Sequence, residues 1–594
     1  MKAEAERHLD PVLLAVLANR LDGICREMTN TLLRSGRSAV LNMARDFSCA
    51  LVTAENELLA SAEGLPVHVI GMEFLAEAMT ELHPQLEEGD AFLHNDPYLG
   101  NTHSADHAIL VPVFIDGEHV FTACAKAHQA DCGNSLPTTY YPGARDIYEE
   151  GALNFPCVRI QRSYRDLEDV IRMCRRRIRV PDQWYGDYLA ALGAARIAER
   201  RLKELCEQYG LETIRRFVTE WFDYSERRMI EALRELPAGS LEGLGTHDPY
   251  PGLPEGIPLR VKVEIDPAEG RIQIDLRENP DNYAGGLNES RACATNNVVI
   301  GVFNSIDPDI PHNAGSFRRI EVVLREGCIA GIPLFPHSCS MATTNVADRL
   351  VCITQAAFAD LGEGFGLAEG GMGLGPAYSV VSGRDPRLGG APYVNQIFLG
   401  SSGGPASAEA DGWPTYMLPV VAALLYHDSI EVDEQKYPFH VYEQRLIPDS
   451  EGAGRQRGGL GCKVVFGPKD EPMTVAYSLE GCDNPPRGVR GGRAGAPTAV
   501  WKHDADGSEA EVPRVAAVEL APWERIVSVT NGGGGYGHPA ERDPALVLDD
   551  VLEGWVTRER AESEYGVVLR TAGEDGKLEV DEEATRALRA RLLA

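Results

Sequence analysis

Apolar residues at Leu13, Leu14, Val16, Leu17, Leu21 and Ile24 recur at helical spacing behind Asp10-Pro11, an N-cap followed by a proline suited to the first turn. The pattern predicts a helix to about Leu33. Residues 45–52 then read as a short strand, with a turn at Glu55-Asn56 and a partner strand at residues 58–60. A helix is expected over residues 71–82. Two apolar runs, residues 108–115 and 120–127, meet at Asp116-Gly117, a strong short-range hairpin signal. From residue 167 to 236 the spacing is helical throughout. Around Leu259 the period switches to two: Val261, Val263 and Ile265 face Ile272, Ile274 and Leu276 across a turn at residues 266–270.

Helical runs near residues 292–303 and 343–361 flank a strand at residues 320–324. Residues 362–412 are dense in glycine but carry Phe365, Tyr378, Tyr393, Phe398 and Trp413 among or beside them. That mixture predicts ordered loops with close backbone approach, not a linker. Strand patterns continue to Val529, and short helices are expected at about residues 549–553, 558–565 and 582–593. The fold class is therefore mixed α/β (α+β) and multi-lobed. An N-terminal α+β lobe holds the hairpin (residues 1–160), followed by a helical block (161–240), a mixed α/β Gly-rich lobe (241–435) and a mostly β lobe with terminal helices (436–594).

Charge narrows the partners. With 57 Lys+Arg against 89 Asp+Glu, the formal net charge is −32, which argues against nucleic acid and anionic membrane surfaces. No apolar run reaches the ~18 residues of a membrane span. The first nine residues lack an apolar signal core, and the 13 Cys contain no CxxC pair, so a cytoplasmic location is expected. Gly532 to Gly537 satisfies GxGxxG after a strand-like run. His538-Pro539 breaks the helix that a dinucleotide-binding unit would need, and little chain remains to build its sheet. No phosphate-binding GxxxxGK[ST] loop occurs. If ATP is used, it is expected on another chain.

The candidate chemistry is concentrated in residues 93–133. His94-Asn95-Asp96-Pro97 is followed by His103-Ser104-Ala105-Asp106-His107, then by the hairpin and His128-Gln129-Ala130-Asp131. With Asp116-Gly117 as the loop, Ile115 pairs with Glu118, and the register places His128 opposite Ala105, between His103 and Asp106. Two imidazoles and one carboxylate with positions left for water are a common catalytic metal set, and HxxD occurs twice. The competing reading is that these polar groups only cap strand ends. Asp46, at a strand entrance, reads from pattern alone as a turn carboxylate. His107 follows Asp106 directly and on a strand points to the opposite face.

These residues also carry a family likeness. Arg45-Asp46-Phe47-Ser48-Cys49-Ala50, His94-Asn95-Asp96-Pro97-Tyr98, Thr102-His103-Ser104-Ala105-Asp106-His107 and Ala127-His128-Gln129-Ala130-Asp131 resemble the hydantoinase B/oxoprolinase family, which includes the metal-bearing subunit of acetone carboxylase. So do Ile147-Tyr148-Glu149-Glu150-Gly151, Pro311-His312-Asn313-Ala314-Gly315, Arg457-Gly458-Gly459 and Gly532 to Gly537 with Glu541-Arg542-Asp543-Pro544. The resemblance implies one divalent metal, Zn or Mn, on His103, Asp106 and His128, with Asp46 as a fourth ligand or catalytic carboxylate. It further implies a hydantoinase A-like partner, two copies of each subunit, that uses ATP and Mg to phosphorylate the substrate's carbonyl oxygen. Asp131, His94 and Asp96 are then candidates for orienting a ligand or acting as base. Hydrolysis of a cyclic amide is the expected reaction. A ketone carboxylase and a non-catalytic scaffold are the alternatives. Cys132-Gly133-Asn134-Ser135-Leu136 departs from the glycine-richer run of relatives, so substrate choice does not transfer.

Overall fold

Asp10 caps the first helix by accepting a hydrogen bond from Val12 N, and the helix α1 runs Pro11–Ser35. The computed structural model describes residues 9–61, 64–422, 424–572 and 577–593. Behind α1 lies a seven-stranded antiparallel sheet in the order β2-β1-β5-β4-β3-β6-β7. Its strands are β1 (Phe47–Thr53), β2 (Leu58–Ser61), β3 (Ala91–His94), β4 (Asp106–Ile115), β5 (Glu118–His128), β6 (Val158–Arg162) and β7 (Arg165–Asp166). The expected hairpin is thus the β4–β5 pair at the centre of the sheet.

Both faces of that sheet are covered. Ile109, Val111, Val113, Ala123 and Ala125 share a core with Leu17, Leu21 and Met28 of α1. On the other face Ala108, Leu110 and Cys124 pack with Met72, Leu75 and Met79. This explains the unbroken apolar runs of the hairpin: a sheet with two buried faces has no polar alternation to display. The face carrying Met72–Leu82 is built with a short helix α2 (Pro66–Val69) and the helix α3 (Met72–Leu82).

The expected helical block resolves into α4 (Glu168–Arg177), α5 (Pro181–Tyr209) and α6 (Leu211–Glu235). Pro181 starts α5, and Gly210, at φ +83°, separates it from α6. The middle of the chain adds β8 (Gly239–His247), β9 (Ile257–Asp266), β10 (Arg271–Asp275) and β11 (Ile320–Val323), a four-stranded sheet in the order β11-β10-β9-β8. Two helices, α7 (Arg291–Phe303) and α8 (Val346–Ala357), complete it.

Two larger sheets follow, and a two-stranded pair (Leu569–Ala572 with Lys577–Val580) lies near the C-terminus. Of the larger two, one has the order β12-β17-β13-β14 with β20 added to β17; the other runs β15-β16-β21-β18-β19. The strands are β12 (Gly373–Leu374), β13 (Val380–Asp385), β14 (Ala391–Gln396), β15 (Phe439–Leu446), β16 (Cys462–Pro468), β17 (Met473–Leu479), β18 (Ala499–His503), β19 (Glu509–Glu511), β20 (Val515–Leu520) and β21 (Arg525–Val529). The first of these sheets draws strands from both sides of residue 435, so one sheet ties the glycine-rich part to the C-terminal part.

The glycine-rich segments pack backbone against backbone. Gly533 N donates to Gly459 O, Gly459 N to Gly404 O and Gly403 N to Asn531 O. A Cβ on Gly533 would lie 1.9 Å from Gly404 O, which no relaxation of a side chain relieves. In the run Gly532 to Gly535, every amide is bonded to a carbonyl elsewhere: Gly532 to Ala496, Gly533 to Gly459, Gly534 to Glu369 and Gly535 to Arg493. Those amides are engaged in the fold, not presented to a phosphate. No helix among the described residues is long and apolar enough to cross a membrane.

Candidate metal centre

The hairpin register differs from the sequence expectation by one residue. A bulge between Val113 and Phe114 shifts the pairing, so His128 lies opposite Asp106 and not opposite Ala105. These are the first residue of β4 and the last of β5, at the open end of the hairpin. On its other side β5 pairs with β1, where Phe47 faces Ala127, and His128 N donates to Asp46 O at 3.0 Å. The same pairing therefore brings Asp46 to the site from a distant part of the sequence.

His103, Asp106 and His128 form a cluster whose possible ligand atoms all lie within 4.8 Å of one another. All three are buried. His103 Nδ1–H donates to Ser340 O at 3.1 Å, which turns its Nε2 toward Asp106 Oδ1, also at 3.1 Å. His128 places Nδ1 3.2 Å from the same carboxylate oxygen, while its Nε2 meets Thr139 Oγ1 at 3.1 Å. Thr102 Oγ1 donates to Asp106 Oδ2. Acceptor atoms converging on one oxygen need a proton or a cation between them. Burial opposes charge on both partners, but the His103–Asp106 attraction outweighs it, raising the His103 pKa and holding Asp106 well below the usual carboxylate range. The donor set, two imidazoles and one carboxylate in a dry wall, fits a divalent ion of the Zn or Mn type.

Asp46 stands beside this cluster. Burial raises its pKa, and the neighbouring His128 and His68 oppose that rise. His68, from α2, was not singled out by the sequence. Its Nε2 is 3.3 Å from Asp106 Oδ2 and 3.7 Å from Asp46 Oδ1. The cluster borders a small pocket of about 20 Å³ lined by Asp46, His68, His103, His128, Tyr140, Thr343, Thr344 and Gln396, with an apolar remainder. Tyr140 stacks on His128 with ring centroids 5.2 Å apart. Thr343 and Thr344 precede α8, and Gln396 ends β14. No spacing rule connects these segments to the hairpin, so only the tertiary fold reveals them.

Three expected residues lie elsewhere. Asp131 is occupied by Arg179, whose backbone N–H donates to Oδ2 at 2.5 Å and whose guanidinium donates to Oδ1 at 2.9 Å. Gly133 N adds a third bond at 3.1 Å. Its carboxylate therefore fastens a turn to the helical block and does not line the cavity. His94 lies between two backbone carbonyls, those of Phe155 and Leu99, each at 3.1 Å, and burial lowers its pKa to about 4. Asp96 caps the turn Pro97–Leu99 by accepting from Tyr98 N. Both shape the backbone around the hairpin and neither reaches the cavity. His107 is on the other face, where Trp184 Nε1–H donates to its Nδ1 at 3.3 Å, and burial lowers its pKa to about 3.

Comparison with known proteins places this arrangement. The hydantoinase B/oxoprolinase family model matches residues 10–539. Caprolactamase subunit beta of Pseudomonas jessenii is 33% identical over 98% of this chain and 99% of its own length. The crystal structure of the ATP-dependent caprolactamase from Pseudomonas jessenii superposes with a TM-score of 0.87 at 30% identity, covering 98% of this chain and 100% of that one. A nucleotide-free structure of acetone carboxylase shares the fold at a TM-score of 0.85 and 19% identity, over 98% of this chain and 83% of that one. A family match over nearly the whole length, with a relative of this similarity, leaves one conclusion: the chain belongs to the hydantoinase B/oxoprolinase family.

Proposed function

We propose that this chain is the metal-bearing subunit of an ATP-dependent enzyme that opens cyclic amides. A partner subunit of the hydantoinase A kind uses ATP and Mg to phosphorylate the carbonyl oxygen, and this chain directs water onto the activated carbon. The observation that carries the reading is the buried convergence of His103, Asp106 and His128, two of which, His103 and His128, line a small pocket. The caprolactamase subunit that matches it end to end supports the substrate class.

An unstrained amide is a poor electrophile, and phosphorylating its oxygen creates a leaving group. One Zn or Mn ion on the three ligands would supply the Lewis acidity that activates water near neutral pH. Asp46 serves as a fourth ligand or as the carboxylate that takes the water's proton. Burial raises its pKa, which makes it more basic than an exposed carboxylate. His68 bridges Asp46 and Asp106 and keeps both oriented. Burial of the whole cluster excludes bulk water from the activated intermediate. A working complex with two copies of each subunit in the cytoplasm completes the reading. A scaffold without chemistry would have no use for the intact ligand set.

The test is co-purification with the partner, followed by assay with ATP, Mg and a panel of lactams, hydantoins and ketones. Ring-opened acid and released phosphate are expected. Dependence on bicarbonate with carbon fixed into a ketone would move the chain to the carboxylase alternative.

A further inference from the structure

Residues 138–141 lie outside any helix or strand, yet their bonds run to the ligand cluster. Thr138 Oγ1 donates to Tyr140 O at 2.9 Å and accepts from Tyr140 N at 3.1 Å, which fixes the Tyr140 backbone at both of its polar groups. Tyr141 N donates to Ser340 Oγ at 2.8 Å. The carbonyl of the same Ser340 lies 3.1 Å from His103 Nδ1. The segment and the His103 ring therefore take their positions from one residue.

Within this frame the Tyr140 ring lies against both imidazoles. Its centroid is 5.2 Å from that of His128 and 5.4 Å from that of His103, at interplanar angles of 15° and 30°. The two imidazoles are 5.2 Å apart at 28°. Contact through ring faces leaves the nitrogens at the ring edges free to bind. His107 shows the contrast: Trp184 meets it at 77°, and the indole N–H occupies its Nδ1. The Tyr140 hydroxyl hydrogen-bonds with the side chains of Thr343 and Gln396, which keeps the ring from swinging away. Thr139 touches the cluster as well, with Oγ1 3.1 Å from His128 Nε2. A hydroxyl that accepts the Nε2 proton leaves Nδ1, 3.2 Å from Asp106 Oδ1, as the binding nitrogen.

We infer that Thr139 and Tyr140 are positioning residues for the metal centre: Thr139 selects which nitrogen of His128 binds, and the face of Tyr140 holds His103 and His128 in their mutual orientation. The inference rests on the metal-centre reading above. An imidazole that gives its lone pair to a divalent ion becomes electron-poor, and a phenol face attracts it more strongly in that state. Stacking therefore favours the loaded centre and not only the fold. A side chain that merely filled space would be replaceable by leucine without loss of affinity.

The experiment measures the affinity of the full-length chain for Zn²⁺, and in parallel for Mn²⁺, by competition with a chromophoric chelator, with a thermal melt of each variant. Tyr140→Phe keeps the stacked ring and should bind within about threefold of wild type. Tyr140→Leu keeps apolar bulk without the aromatic face and should bind about tenfold or more weakly. Thr139→Val keeps the volume, removes the acceptor and should show a similar loss. Affinity kept by phenylalanine and lost by leucine is a pattern that packing alone does not produce. Wild-type affinity in Thr139→Val, or in a folded Tyr140→Leu chain, overturns the inference. So does a loss in Tyr140→Phe as large as that expected for leucine, which keeps the test decisive should Tyr140→Leu not fold. If wild type binds neither ion, the metal-centre reading fails; if wild type binds and the variants bind equally, only this inference fails.

Discussion

His103 is oriented by a bond to a backbone carbonyl, which decides which of its nitrogens is left to bind. This is the arrangement expected of a ligand, and it predicts how substitutions divide. His103→Ala, Asp106→Ala and His128→Ala should each retain less than about a tenth of the wild-type metal, since removing one of three protein ligands costs most of the affinity. His107→Ala should keep the metal, because His107 belongs to the opposite face with Trp184. Elemental analysis of the four purified variants checks this; full metal in any of the first three, or loss only in the fourth, would be contrary. At this scale the three clustered residues were legible because HxxD recurs and a hairpin joins the two copies. The HxxD spacing that marks Asp106 also fits Asp131, whose carboxylate the structure pairs with Arg179. His68, Thr343 and Gln396 carry no spacing signal at all.

At the scale of elements, the hairpin was visible but its register was not: a single bulge at Val113 and Phe114 moves every partner by one. The glycines divide by what surrounds them. Gly533→Ala drives a Cβ into Gly404 O at 1.9 Å and should destabilise the protein by about 3 kcal/mol or more. Gly23→Ala on α1 meets nothing within 4 Å and should stabilise by about 0.5–1 kcal/mol. Thermal melts of the two variants against wild type should move in opposite directions. The first turn of α8 holds Thr343 and Thr344 in place through a capping box, in which Asp348 accepts from Asn345 N and also from Gly373 N. Burial raises the Asp348 pKa to about 7. A carboxyl whose folded pKa exceeds its unfolded value contributes stability that is present below about pH 4 and is lost as pH rises through 7. Asp348→Asn should therefore melt closer to wild type at pH 4 than at pH 7.5, gaining relative stability as pH rises. A constant difference across that range would count against a raised Asp348 pKa.

For the whole molecule, local periodicity does not see that β12 and β13 pair with β17 across a long stretch of chain, which joins segments the sequence pattern treats separately. The amides of Gly532 to Gly535 are engaged within the fold, and the proposed function assigns ATP chemistry to a partner subunit. The isolated protein should accordingly release no phosphate from ATP above background in a malachite-green assay. The most direct test of the account is ring opening by the reconstituted complex carrying Asp106→Asn, which keeps the shape of the residue and removes its charge. Wild-type complex should open a lactam with ATP; the variant should assemble equally but open it at least about a thousandfold more slowly, through loss of the activated water. Ring opening at the wild-type rate by an assembled Asp106→Asn complex would contradict the metal-centred account.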